Sequence, residues 1–177
     1  SPYQSFSTFA GNPYFIDLDT LVEEGVLDKK ECEKVNWGKK PDEVDYEKIY
    51  KGRYKLLRKA YENSNISENP DYQKFVAENS WWLSDYSLFM AVKDRFGGIP
   101  WTEWAEDIRL RWSNAMDYYR RELYFDIEFQ QYMQYKFYEQ WMKLKAYANK
   151  NGIRLIGDIP IYVAMDSADT WAHPELF

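Results

Sequence analysis

The chain has 177 residues, room for one core of respectable size but not for two ordinary domains. Acidic side chains outnumber basic ones 29 to 23, a net charge of −6; the net basic face that phosphate backbones require is missing, which argues against a nucleic-acid partner. No apolar run reaches the roughly 20 residues needed to cross a bilayer, and the sequence opens on Ser-Pro-Tyr with neither a charged nor an apolar leader. A soluble protein, or a piece of one, with no membrane partner is expected, and a single cysteine fits a reducing, cytoplasmic setting.

The lone Cys32 and the lone His173 leave no internal disulfide and no zinc-type cluster, so neither metal nor cofactor is expected. Gly97-Gly98 follows a helical pattern instead of opening one, which removes a phosphate loop from consideration. Aromatic residues make up 19 % of the chain, with 8 Trp and 16 Tyr. Most such rings pack a core; those with one wet face also suit the apolar side of a sugar ring.

In chain order, "SPYQSFSTFAGNP" reads as an ordered loop with Tyr3, Phe6 and Phe9 interleaved. Residues 14–18, Tyr-Phe-Ile-Asp-Leu, are predicted as a short strand. Thr20 and Glu23 stand at capping-box spacing before Gly25 and predict one helical turn over 20–24; Asp28 and Glu31 repeat the pattern before a short helix through Val35. Beyond a charged connector, Tyr46, Ile49, Tyr50, Leu57, Ala60 and Tyr61 recur at helical steps and predict a long amphipathic helix.

Asn69-Pro70 supplies a cap and first-turn pair for the next helix. A further helix covers Leu83 to Phe96, where Gly97-Gly98 ends it, and Pro100 opens a short one with Trp101 and Trp104. Phe129, Met133, Phe137, Trp141, Leu144 and Ala148 form one stripe on the longest helix, closed by residues 149–152. The run from Ile153 to Ile156 then reads as a buried strand. It would deliver Asp158 to the strand's C-terminal end, where barrel enzymes keep functional side chains.

Three carboxylates, Asp158, Asp166 and Asp169, fall within a dozen residues. Asp158 is the functional candidate; Asp166 and Asp169 read as helix caps, and the spacing fits no EF-hand loop. His173, before a proline and without a partner at recognisable spacing, reads as a surface or packing residue.

Two terminal blocks, "SPYQSFSTFAGNPYFIDLDTLVEEGVL" and "GDIPIYVAMDSADTWAHPELF", closely resemble the amylomaltases, the 4-α-glucanotransferases of glycoside hydrolase family 77. Between them "WWLSDYSLFMAVKDRFGG", the Trp101 and Trp104 pair and "QWMKLKAYANKNGIRLIGD" follow the family's order. The resemblance implies an α/β fold, a (β/α)₈ TIM barrel of which this chain is a partial, predominantly helical fragment with one or two barrel strands. Residues 1–19 would be a substrate-lining loop and short strand, 20–150 a helical insertion, and 151–177 a barrel strand with its following loop. It further implies transfer of α-1,4-glucan segments between maltooligosaccharides by a retaining double displacement.

In that chemistry an Asp nucleophile takes the glucan chain, a Glu serves as acid and base, and another Asp assists. All three would lie on later strands, downstream of this chain, so no catalytic residue is expected within it and the chain alone is expected to be inactive. Ser1, Tyr3 and Asp158 would contact substrate. The implied partners are maltooligosaccharides, α-1,4-glucans and the remainder of the barrel. A non-catalytic helical module that binds α-glucan or a protein through its aromatic surface is the alternative.

Overall fold

A computed structural model describes residues 5–38, 43–158 and 162–177. The described residues are predominantly helical, and none of them forms a strand. The α-helices are α1 (Leu18–Glu23), α2 (Lys29–Glu33), α3 (Tyr46–Asn63), α4 (Pro70–Glu78), α5 (Ser80–Arg95), α6 (Glu106–Arg109), α7 (Ser113–Glu122), α8 (Tyr124–Lys150) and α9 (Ala168–Ala172).

Local chemistry sets most of these boundaries. Asn69 accepts hydrogen bonds from the Asp71 and Tyr72 amides while Pro70 occupies the first position of α4, as the sequence predicted. Helix α5 ends where Gly97 and Gly98 take φ of +71° and +84°, the left-handed region that glycine enters without a Cβ penalty. Gly152, at φ +75°, ends α8 in the same way.

The core centres on α5. Its residues 86–93 are all buried, so the helix is covered on every side, and it packs on α4, α7, α8 and α9. Phe89, Trp104 and Trp171 form an aromatic triangle with centroids 5.2, 5.7 and 5.9 Å apart, separations that favour tilted and edge-on contacts. Each buried indole N–H is satisfied: Trp104 donates to the Ile99 carbonyl and Trp171 to the Ile108 carbonyl, both at 3.2 Å. Part of the aromatic excess is core, while other rings, such as Trp81, Phe125 and Tyr147, are exposed.

Two predicted strands are absent. Residues 13–15 form a 3₁₀ turn capped by Asn12, whose side chain accepts from the Tyr14 amide. Asp17, not Thr20, caps α1 by accepting from the Thr20 amide at 3.0 Å. Two consecutive capping signals outweigh a five-residue apolar pattern, because they satisfy backbone donors that a lone strand would leave unpaired.

The run 153–156 is extended in sequence character but unpaired. Ile153 is 56 %, Leu155 44 % and Ile156 96 % exposed. A strand is defined by its ladder, and no neighbouring strand exists among the described residues to complete one. The stripe on α8 divides in the same sense: Phe129 and Met133 are buried, whereas Trp141 and Leu144 are exposed.

Candidate functional site

An open cleft of about 800 Å³ runs between the N-terminal loop, α3 and α5. Its first wall is the loop 5–14. Helix α3 contributes Tyr50 and Tyr54, α5 contributes Tyr86, Lys93 and Asp94, and Asp158 closes one edge. Residues separated by some 150 positions thus face one space. Ser1 and Tyr3 lie outside the described residues; Ser5, on the same segment, lines the cleft.

The loop wall is fixed from behind. Gln134 of α8 accepts from the Gly11 amide at 2.8 Å and donates to the Gly11 carbonyl at 3.0 Å. Gln140, six residues on, repeats the pairing with Asp17 at 2.7 and 3.1 Å. A carboxamide used this way imitates a strand partner and satisfies both polar groups of one residue. Gly11 lies so close to α8 that a Cβ there would overlap the Phe137 ring. Arg53 of α3 also donates to the Pro13 and Ile16 carbonyls.

On the opposite side, one carboxylate holds the loop and a second holds Lys93 of the cleft. Asp169 accepts from the Ser7 hydroxyl (3.0 Å), the Thr8 amide (2.7 Å) and the Thr8 hydroxyl (3.0 Å). Asp166 accepts from Lys93 Nζ (2.6 Å) and the Trp101 amide (3.2 Å). Neither is a helix cap, in contrast to the sequence expectation; Ser167 caps α9 by accepting from the Thr170 amide. Ser167 lies between them and satisfies the helix end, which frees both carboxylates for long-range bonds. His173 is exposed beside Glu175, as expected.

Electrostatically the cleft is mixed. Lys93 is neutralised by Asp166, donates a further hydrogen bond to the Ile99 carbonyl at 3.1 Å and sits 5.3 Å from the Phe6 ring centroid. Asp94 is reached by water across the cleft but hemmed by protein elsewhere. That crowding, followed by the nearby Asp126 charge, raises its carboxyl above the ordinary range. Burial likewise raises the phenols of Tyr50, Tyr54 and Tyr86, with the Asp94 charge adding to it. At neutral pH these hydroxyls remain protonated and offer both donors and acceptors.

Sequence reading missed Tyr54, Asp94 and Gln134. Tyr50 and Tyr54 stand at i, i+4 on α3, and Gln130 and Gln134 interrupt the apolar face of α8 at the same spacing. Polar residues inside an apolar stripe were the available signal. No group of three or more His, Cys, Asp or Glu capable of holding a metal occurs among the described residues, and none of the described helices is long and apolar enough to cross a membrane.

The fold and cleft together define a helical shell around an open, tyrosine-lined groove rich in hydroxyl and carboxylate groups. Comparison makes the class particular: residues 1–177 match the 4-alpha-glucanotransferase family, glycoside hydrolase family 77, and the chain belongs to it. It is 49 % identical over 177 residues to a 4-alpha-glucanotransferase of Clostridium butyricum, covering all of this chain and 36 % of that protein. Against the Thermus thermophilus enzyme of the same description the identity is 42 % over 181 residues, with 35 % of that protein covered.

Among solved structures, an amylomaltase from Streptococcus agalactiae in complex with acarbose superposes with a TM-score of 0.93 at 41 % identity. The match covers all of this chain and 36 % of that one. The chain therefore spans little more than a third of the length of the relatives it matches.

Proposed function

We propose that these residues form one wall of the α-glucan cleft in a 4-α-glucanotransferase that moves α-1,4-glucan segments between maltooligosaccharides by a retaining double displacement. The supporting observation is the convergence of Asp158 with the loop 5–14 on one cleft, across most of the chain's length. In this reading Ser1, Tyr3 and Asp158 contact sugar, and the nucleophilic Asp, the acid/base Glu and a third Asp lie outside this chain. Retaining chemistry needs two carboxyl groups about 5 Å apart across the scissile bond. The hydroxyl-rich lining suits a ligand recognised through many neutral hydrogen bonds.

The remainder of a (β/α)₈ barrel is the proposed cover for the exposed run 153–156 and the outer half of α8. Strand formation at 153–156 would follow once neighbouring strands supplied a ladder. Residues 1–19 would then be a substrate-lining loop, 20–150 a helical insertion and 151–177 the strand region with its following loop, in an enzyme of the cytoplasm.

The test is incubation with maltotriose followed by chromatography, comparing the 177-residue chain with a full-length protein carrying it. Glucose and longer oligomers from the full-length protein only are expected. Disproportionation by the 177 residues alone, after controls for contaminating enzyme, would refute the placement of the catalytic set outside them.

A further inference from the structure

We propose that Asp169 is a positioning residue for glucan binding: it locks the loop 5–12 into the cleft wall and ties that wall to the segment carrying Asp158. The inference rests on the reading of the cleft as an α-glucan site. Asp169 is eleven residues beyond Asp158, does not itself line the cleft, and spends both carboxylate oxygens on two residues that do, Ser7 and Thr8. One oxygen takes the Ser7 hydroxyl, and the other takes the Thr8 amide and hydroxyl.

The neighbouring backbone repeats the link. The Ala168 amide donates to the Phe6 carbonyl at 2.8 Å, so residues 6, 7 and 8 are held in succession by residues 168 and 169. Ser7 is 3 % exposed and its hydroxyl also accepts from the Phe9 amide at 3.2 Å. The loop turns around this hydroxyl, and Asp169 orients it by accepting its hydrogen bond.

Residues 5–12 contain no regular secondary structure, so the loop has no backbone ladder to stand in for these side-chain contacts. Gln134 fixes the loop at Gly11, and Asp169 fixes it at Ser7 and Thr8. The anchored residues Ser7, Thr8 and Gly11 themselves line the cleft, together with Phe6 and Ala10. A carboxylate accepting several short hydrogen bonds is a strong and directional anchor, and its loss frees the cleft wall and not the helical core.

The expected effect is therefore on substrate binding. In a full-length protein carrying the chain, with maltotriose as the probe, Asp169→Ala should raise KM at least tenfold while kcat changes less than threefold. Amide hydrogen exchange should speed up at residues 5–12 and stay unchanged in α5 and α8. Asp169→Asn keeps one acceptor oxygen and should recover part of the loss. Thr8→Val, which removes one of the three bonds, should raise KM more modestly and serves as the deciding variant if Asp169→Ala does not fold.

A Tm decrease with KM within twofold of wild type would overturn the proposal, because a merely structural aspartate behaves so. Loss of kcat with KM unchanged would overturn it equally. If the wild-type full-length protein neither binds nor transfers maltotriose, the glucan reading itself fails and the proposal falls with it. That outcome is read from the wild type alone and is distinct from failure of the Asp169 variants.

Discussion

Replacing Gly11 by alanine tests whether the cleft wall is clamped as tightly as the geometry requires. The added Cβ would occupy space held by the Phe137 ring. Two responses are open. Either the ring swings away and gives up its packing, an overpacking cost of about 1–3 kcal/mol, or the loop lifts from α8 and breaks the two Gln134 bonds at 2.8 and 3.0 Å, worth about 1 kcal/mol each. A destabilisation of about 1–3 kcal/mol is expected by either route.

Equilibrium urea unfolding followed by tryptophan fluorescence measures it, with Gly157→Ala as control, since a Cβ there meets nothing within 4 Å. Removing the ring should remove the clash, so Gly11→Ala and Phe137→Ala should be strongly non-additive, with a coupling of about 2 kcal/mol. A Gly11→Ala change within about 0.5 kcal/mol of wild type, or full additivity in the cycle, would show that the loop yields freely and that the clamp does not set its position.

Lys93→Ala should cost about 3 kcal/mol, near the low end for breaking a buried pair, because Lys93 is 7 % exposed and Asp166 only 33 %; urea titration should find Lys93→Met with Asp166→Leu less destabilised than the single change. Asp94 has a raised folded-state pKa, so the folded state holds its proton more tightly than the unfolded one. Stability then falls as pH rises from the ordinary carboxylate value through the raised one. Asp94→Asn should accordingly raise Tm at pH 7, with the gain disappearing below the unfolded value of 3.8; equal gains at pH 3 and pH 7 would contradict the burial account. Leu144, 56 % exposed on α8, should tolerate lysine in the 177-residue chain within about 0.5 kcal/mol. The same change should cost about 2 kcal/mol in a full-length protein if the remaining barrel buries that side chain, and denaturation of both forms gives the comparison.

The sequence by itself determined the features that depend on neighbours along the chain. Asn69-Pro70 set the start of α4, Gly97-Gly98 the end of α5, and the steps from Phe129 to Met133 the buried face of α8, because caps, positive φ and helical periodicity act within a few residues. The same local rules failed for 14–18, where Asn12 and Asp17 caps competed with a short apolar pattern and won. They failed again for 153–156, since a strand's hydrogen bonds belong to a partner that no run of four residues contains. The family was legible from long ordered blocks, which record the whole fold's requirements at once.

The tertiary structure alone decided which polar groups meet. Asp166 and Asp169 carry the local marks of helix caps, yet Ser167 takes that task and the two carboxylates reach Lys93, Ser7 and Thr8 across 73, 162 and 161 positions. Gln134 looks like a defect in an apolar stripe until Gly11 lies against it. Periodicity records which face of a helix is buried; it carries no information about which distant backbone will arrive there. Pairing across such separations is selected by the packed core around α5, which brings the segments together.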